Sequence, residues 1–181
     1  DSLRFIVVFT FVTEALGAVL LFQCLPADRG LAERIFQSVF HSVSAFCNAG
    51  FSTLPDGLAD GWIRDNGSLQ LVICALIILG GVGAAVLRDG LAYVRQSLHR
   101  LRDPAHQRPR LRVHTRLVLT TTLILLFGGA AAIWVSEFWF HSGESNDGQM
   151  LTAFFHSVTT RTAGFNTVDM GGIGPVTVHL M

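Results

Sequence analysis

The chain contains no lysine: all thirteen of its basic residues are arginine, and thirteen acidic residues balance them to a formal net charge of zero. Charge of any kind is scarce, at 14% of residues, whereas half of the residues are apolar and the mean hydropathy is +0.48. That balance is unusual for a soluble globular domain, so a membrane protein is the leading expectation. Cysteine is sparse as well. Cys24, Cys47 and Cys74 lie in or beside apolar segments, without CxxC spacing or a nearby His in a ligand pattern, which argues against a disulfide framework and a zinc site. The chain lacks an initial Met and stops at Met181 inside an apolar run, so it reads as a piece of a longer protein. The lack of a signal peptide therefore says nothing about targeting.

What is present is a series of apolar runs of two lengths. Residues 3–25, 69–87 and 117–135 are each long enough, or nearly so, for the roughly 20 helical residues that cross a hydrocarbon core. The first carries one interior charge, Glu14, which should face protein, protonated or hydrogen-bonded, as a packing contact or as a group in an ion path. The second has only Gln70 as a strongly polar residue, with Gly80, Gly81 and Gly83 offering a face for close approach. Residues 35–46 and 150–160 are apolar but too short to span, and each runs into a stretch rich in breakers. Trp139 and Phe140 suit an interfacial aromatic belt, and residues 173–181 read as the start of a further span.

The two short runs are copies of one pattern. Phe40 to Thr53 reads FHSVSAFCNAGFST, and Phe155 to Thr167 reads FHSVTTRTAGFNT, with one residue gapped. Irregular backbone after a half-length apolar helix survives at membrane depth only when buried in protein or lining a watery cavity, and a pore loop meets that condition. Gly50 and Gly164 occupy matching places, each followed by a Phe whose ring can brace the loop from outside. Glycine lets successive carbonyls turn inward, as a site for a dehydrated monovalent cation requires. The C-terminal ends of the short helices would add negative potential there.

Eight of the arginines fall between Arg88 and Arg116. Between two spans this is the positive-inside signal of a cytoplasmic segment rather than a nucleic-acid site. It places both loops on the outer side. His41 and His156 begin the short runs at corresponding positions, where capping or packing competes with ligation or proton relay, and one His per copy makes no metal cluster. Arg161 beside the second loop needs an acidic partner or carbonyls; Asp169 is a candidate, with a brace or a gate as its role.

The two loop motifs, together with GGVGAAVLRD at Gly80 to Asp89 and HTRLVLTTTLIL at His114 to Leu125, resemble the Trk/Ktr/HKT potassium transporter superfamily, with the membrane subunit of bacterial Ktr systems nearest. The resemblance implies an all-α membrane protein of helix–pore loop–helix repeats with re-entrant pore helices. Residues 1–87 would be the second of four repeats, 88–116 a cytoplasmic linker, and 117–181 a truncated third. Filter segments would be 47–52 and 161–166. By motif match, Cys47, Asn48, Ala49, Gly50 and Phe51, and Thr162, Ala163, Gly164 and Phe165, would form two filter strands. Backbone carbonyls of Asn48, Ala49, Gly50, Thr162, Ala163 and Gly164 would bind potassium, with Arg161 and Asn166 as supports. The resemblance further implies potassium uptake across a bacterial inner membrane, no cofactor, a homodimer, contact with lipid and with the remaining repeats, and a cytosolic RCK-type nucleotide-binding subunit. Two rivals stand beside it. An intramembrane enzyme would use Glu14, His41, His156 and Arg161 but lacks nucleophile–base pairing, and a non-conducting assembly subunit leaves the matched loops unexplained.

Overall fold

The computed structural model describes residues 2–54, 57–58, 66–102, 110–140 and 148–165. Every regular element among them is an α-helix: α1 (Ser2–Cys24), α2 (Leu31–Phe46), α3 (Gly67–Val82), α4 (Ala84–Arg102), α5 (Val113–Phe140) and α6 (Gly148–Thr162). The fold is thus the expected all-α membrane architecture. α1 and α5 are long and apolar enough to cross a bilayer. Both turn large apolar side chains outward, among them Phe11, Leu16, Leu117 and Phe127, at 67, 60, 65 and 63% exposure. In water such surfaces would be untenable; in lipid they are the solvated face. The residues expected at 173–181, with Asn166 and Asp169 and the side chains of Trp139 and Phe140, lie outside those described.

Local chemistry sets the helix ends. Pro26, with its fixed φ and missing N–H, closes α1. Two side chains then satisfy carbonyls in its last turn: Arg34 Nη2 donates to Phe22 O at 3.0 Å and stacks 4.2 Å over the Phe22 ring, and Asn66 Nδ2 donates to Cys24 O at 2.9 Å. Asn66 also caps α3, its Oδ1 accepting from Leu69 N at 3.1 Å. The short helix α2 begins at Leu31, four residues before the apolar run. In the polar segment ahead of that run, Arg29 bridges to Glu33 one turn on, at 3.0 Å, while Arg34 turns to α1.

The larger departure is in residues 69–87. They do not form one straight span: the helix breaks at Gly83 (φ 85°, ψ 145°), and α4 leaves α3 at 98°. The segment expected as a basic linker is accordingly helical as far as Arg102.

α3 is the centre of the bundle. Leu69, Ile73, Cys74, Leu76 and Ile77 form one buried cluster with Leu21 of α1, Ala45 of α2, Leu126 of α5 and Phe155 and Val158 of α6. Close approach depends on small residues, as is usual where lipid removes the hydrophobic drive between helices. A methyl group at Gly17 would come within 2.5 Å of Ser42 Oγ, and one at Gly129 within 2.6 Å of Ser157 Oγ. These contacts are repeats of each other. Ser42 Oγ donates to Glu14 O at 2.7 Å, and Ser157 Oγ donates to Leu126 O at 2.7 Å. The pairs α1–α2 and α5–α6 are therefore joined by the same serine bridge.

Gly80 of α3 lies against the Phe46 carbonyl at the end of α2, where a methyl group would overlap the oxygen. Gly80→Ala is expected to cost about 2 kcal/mol or more, because the obstacle is backbone. Gly90→Ala in α4 has open space around it and should be neutral or stabilising by about 0.5–1 kcal/mol. Thermal unfolding in detergent compares them, and equal melting temperatures would contradict this packing.

Candidate functional site

The matched motifs form the C-terminal ends of α2 and α6 and the loops that leave them. At the first, Cys47 is still α-helical in conformation (φ −74°, ψ −2°), and its N–H bonds to Val43 O at 2.9 Å. Asn48 then adopts φ 54°, and Gly50 φ 69°. At the second, α6 continues through Arg161 and Thr162, so those two residues belong to the helix rather than to an extended strand. Ala163 N and Gly164 N both bond to Thr159 O at 2.9 Å, and Gly164 has φ 73°. Both motif glycines thus sit in the left-handed region, where a Cβ is costly.

The extra residue of the first copy has a structural place. Ala163 N reaches four residues back to Thr159 O, whereas its counterpart Ala49 N reaches five back to Ser44 O, at 2.8 Å. The lengthened turn is absorbed at Asn48, a residue type that tolerates positive φ.

Hydroxyl groups hold each loop to its own helix. Ser44 Oγ donates to Phe51 O at 2.8 Å, and at the matching position Thr159 Oγ1 donates to Phe165 O at 3.0 Å. Behind the first loop, His41 Nδ1 faces Gln37 O at 2.8 Å, and because a carbonyl only accepts, that nitrogen carries the proton. His41 Nε2 pairs with Ser52 Oγ at 3.0 Å, and Ser52 Oγ also accepts from Leu54 N at 3.2 Å. Thr53 Oγ1 donates to Gln37 Oε1 at 2.8 Å. His41 is thus a bracket between helix and loop. His156 is buried, with its ring edge-on to Phe155 as His41 is to Phe40. No group of three or more potential metal-ligating side chains occurs among the described residues.

The two loops touch. Thr162 Oγ1 donates to Asn48 Oδ1 at 2.7 Å, and a methyl group at Gly50 would overlap the Ala163 carbonyl oxygen. Asn48 Nδ2 also donates to Phe46 O at 3.3 Å, and a methyl group at Gly80 would come within 3.0 Å of it. Among the described residues, the carbonyls of Asn48, Ala49, Gly50, Thr162, Ala163 and Gly164 accept no hydrogen bond. The carbonyls of Phe51 and Phe165 are occupied by the hydroxyls. Ala163 O is turned against Gly50 rather than into open space. Two helix C-termini therefore converge on backbone with spare acceptors, a setting of partial negative charge.

The remaining sequence candidates are spread around this centre. Glu14 Oε1 lies 3.8 Å from Cys47 Sγ, so it is next to the first loop, at the position Leu126 occupies beside the other loop's helix. Arg161 is exposed in the last turn of α6 and makes no ion pair among the described residues. The two bracing phenylalanines differ: Phe165 is 3% exposed in the core, but Phe51 is 70% exposed. Phe51, with Phe36, Phe40, Val43 and Ala49, lines an open apolar groove of about 800 Å³. The corresponding face of α6 and its loop, including Phe155, Val158, Ala163 and Phe165, is buried.

Residues that sequence reasoning passes over are the hydroxyls Ser42, Ser157, Ser44 and Thr159. Their signal is FHSV followed by Ser or Thr in both copies.

A family model described as TrkH, cation transport protein, matches residues 1–181. Similar proteins include the potassium/sodium uptake protein NtpJ of Enterococcus hirae, 37% identical over 169 residues, covering 91% of this chain and 34% of that protein. Ktr system potassium uptake protein B of Vibrio alginolyticus is 34% identical over 170 residues, covering 91% and 34%, and that of Bacillus subtilis is 33% identical over 179, covering 94% and 36%. The chain thus spans about a third of the length of the curated relatives it matches.

The loop contact makes the two glycines unequal. Gly164→Ala, with open space around it, should cost about 1–2 kcal/mol for positive φ alone. Gly50→Ala should cost about 1–3 kcal/mol more through the overlap with Ala163. Equal losses in thermal unfolding would show that the loops do not meet.

Proposed function

Since the chain belongs to the TrkH family of cation transport proteins, we propose that it supplies two of the carbonyl-bearing loops of a potassium-uptake pore. The observation that carries this reading is the convergence of two repeat-related helix C-termini on loops that touch and keep spare carbonyls. The ion sheds water onto backbone oxygens of Asn48, Ala49, Gly50, Thr162, Ala163 and Gly164, which replace its hydration shell. Ala163 O, turned against Gly50, contributes as the loops adjust around the ion. Cys47, Phe51 and Phe165 frame the strands, and Arg161 and Asn166 support the second. No covalent chemistry and no cofactor enter. The ion moves down its electrochemical gradient, and the family being one of transport proteins, the enzyme reading falls away.

The groove beside Phe51 belongs to the same proposal. The face of α2 that carries Phe40 and Val43, with Phe51 beside it, is open, whereas its counterpart on α6 is buried in the core cluster, so the outgoing helix of a neighbouring unit, equivalent to α3, lies there in the longer protein. Residues 88–116 face the cytoplasm of a bacterial inner membrane by the positive-inside rule, and part of that segment meets a cytosolic RCK-type subunit below a homodimer.

Rubidium and potassium uptake by the full-length parent, in cells lacking their own uptake systems, tests the reading. Gly50→Ser and Gly164→Ser should each reduce potassium-over-sodium preference by about tenfold, or ~1.4 kcal/mol. Unchanged transport and preference in both would remove the filter assignment. Dependence on His41 or Glu14 with tolerant glycines would point to an enzyme instead.

A further inference from the structure

α4 is joined to α3 through the single residue Gly83 and turns away at 98°. α3 lies in the bundle among the spans, so α4 runs across the direction in which the spans run. Along α4, Leu87, Leu91, Val94 and Leu98 recur at intervals of four, three and four, which places them on one stripe. Leu91, Val94 and Leu98 are 56, 53 and 58% exposed.

The rotation of the helix about its own axis is fixed by another face. Asp89 Oδ2 accepts from Thr115 Oγ1 of α5 at 2.9 Å and lies 3.6 Å from Arg112 Nε, and Thr115 is buried. Val86, also buried, lies on that side. At about 100° per residue, Asp89 is roughly 200° round from Leu87. Contact with α5 therefore holds the leucine stripe outward. Beside the stripe stand Arg88 and Arg95, seven residues apart, and Arg100 lies farther round.

We propose that α4 is an interfacial helix, its leucine stripe sunk into an anionic bilayer surface and its flanking arginines at the headgroup phosphates. With α3 packed in the bundle beside the span α1, the right-angled exit puts the axis of α4 in the plane of the membrane, and a leucine face bordered by arginine is the pattern that binds there. Positive charge complements anionic lipid, and long arginine stems reach the headgroups from a shallow helix. A second copy of the chain suits the stripe less well: four apolar positions make less than two heptads, and Gly90 sits among them.

The test uses the full-length parent in liposomes of phosphatidylcholine, with and without phosphatidylglycerol, carrying brominated acyl chains. Leu98→Trp is compared with Gln96→Trp, which lies on the opposite side of α4, each after subtraction of the parent's own tryptophan signal. Bromolipid should quench Trp fluorescence at 98 about twofold or more beyond that at 96, with the difference growing when phosphatidylglycerol is present and shrinking in Arg95→Gln. Equal quenching at the two positions, or quenching at 98 by aqueous iodide instead, overturns the proposal. So does shielding of position 98 from both quenchers, which would mean that protein covers the stripe. None of these readouts depends on transport, so a failed filter assignment leaves this inference standing or falling by itself.

Discussion

Backbone carbonyls at the end of a helix have lost their intrahelical partners, and in an apolar bundle each one must be answered or left with a purpose. This accounting governs the architecture around the two loops. Ser44 and Thr159 turn back to the Phe51 and Phe165 carbonyls, and Asn48 turns back to Phe46. What these side chains do not claim are the carbonyls between them. The hydroxyls therefore fix where each loop is tied and, by elimination, where it stays open. α3 enforces the arrangement from behind, since Gly80 admits the Phe46 carbonyl only because it has no side chain. A loop held this way is rigid at both ends and polar in its middle.

The two repeats share this frame but do not share their surroundings. The serine bridges Ser42 to Glu14 O and Ser157 to Leu126 O use the same bond at the same place. Because the bond goes to backbone, the side chain on the receiving residue is free to change: carboxylate in one repeat, leucine in the other. Glu14 stands half-buried beside the first loop, with Cys47 Sγ 3.8 Å from its Oε1. The contrast between Phe51 and Phe165 has a similar origin. One ring, that of Phe165, has α3 and its neighbours over it, and the other faces a groove with nothing from the described part of this chain to cover it.

Much of this is legible in the amino-acid sequence. Helix type, the long apolar runs and the two short helices follow from run length alone, and the left-handed glycines follow from the repeated Ala-Gly-Phe. The boundaries are less visible. Leu31 to Arg34 carries too much charge to look like a helix start, yet Arg29 and Glu33 pair across a turn and Arg34 is committed to α1. The break at Gly83 is hidden because apolar residues continue to Leu87, and hydropathy does not record direction. Arg161 and Thr162 read as loop by alignment with the longer first copy, but the missing residue lets α6 run further. Contacts between the loops leave no trace in the sequence, since Asn48 and Thr162 are 114 residues apart and nothing local links them.

The additional residue at Asn48 has one more implication. An assembly of identical subunits repeats each substitution on every side of its axis and can change only in concert. Here the two loops are written separately in one polypeptide, and they already differ by an inserted residue, a positive-φ asparagine and an adjacent carboxylate. In the pore proposed above, the walls are therefore chemically unequal. Selection can then retune one wall while the other keeps its geometry, which gives such a chain an evolutionary freedom that strict rotational symmetry forbids.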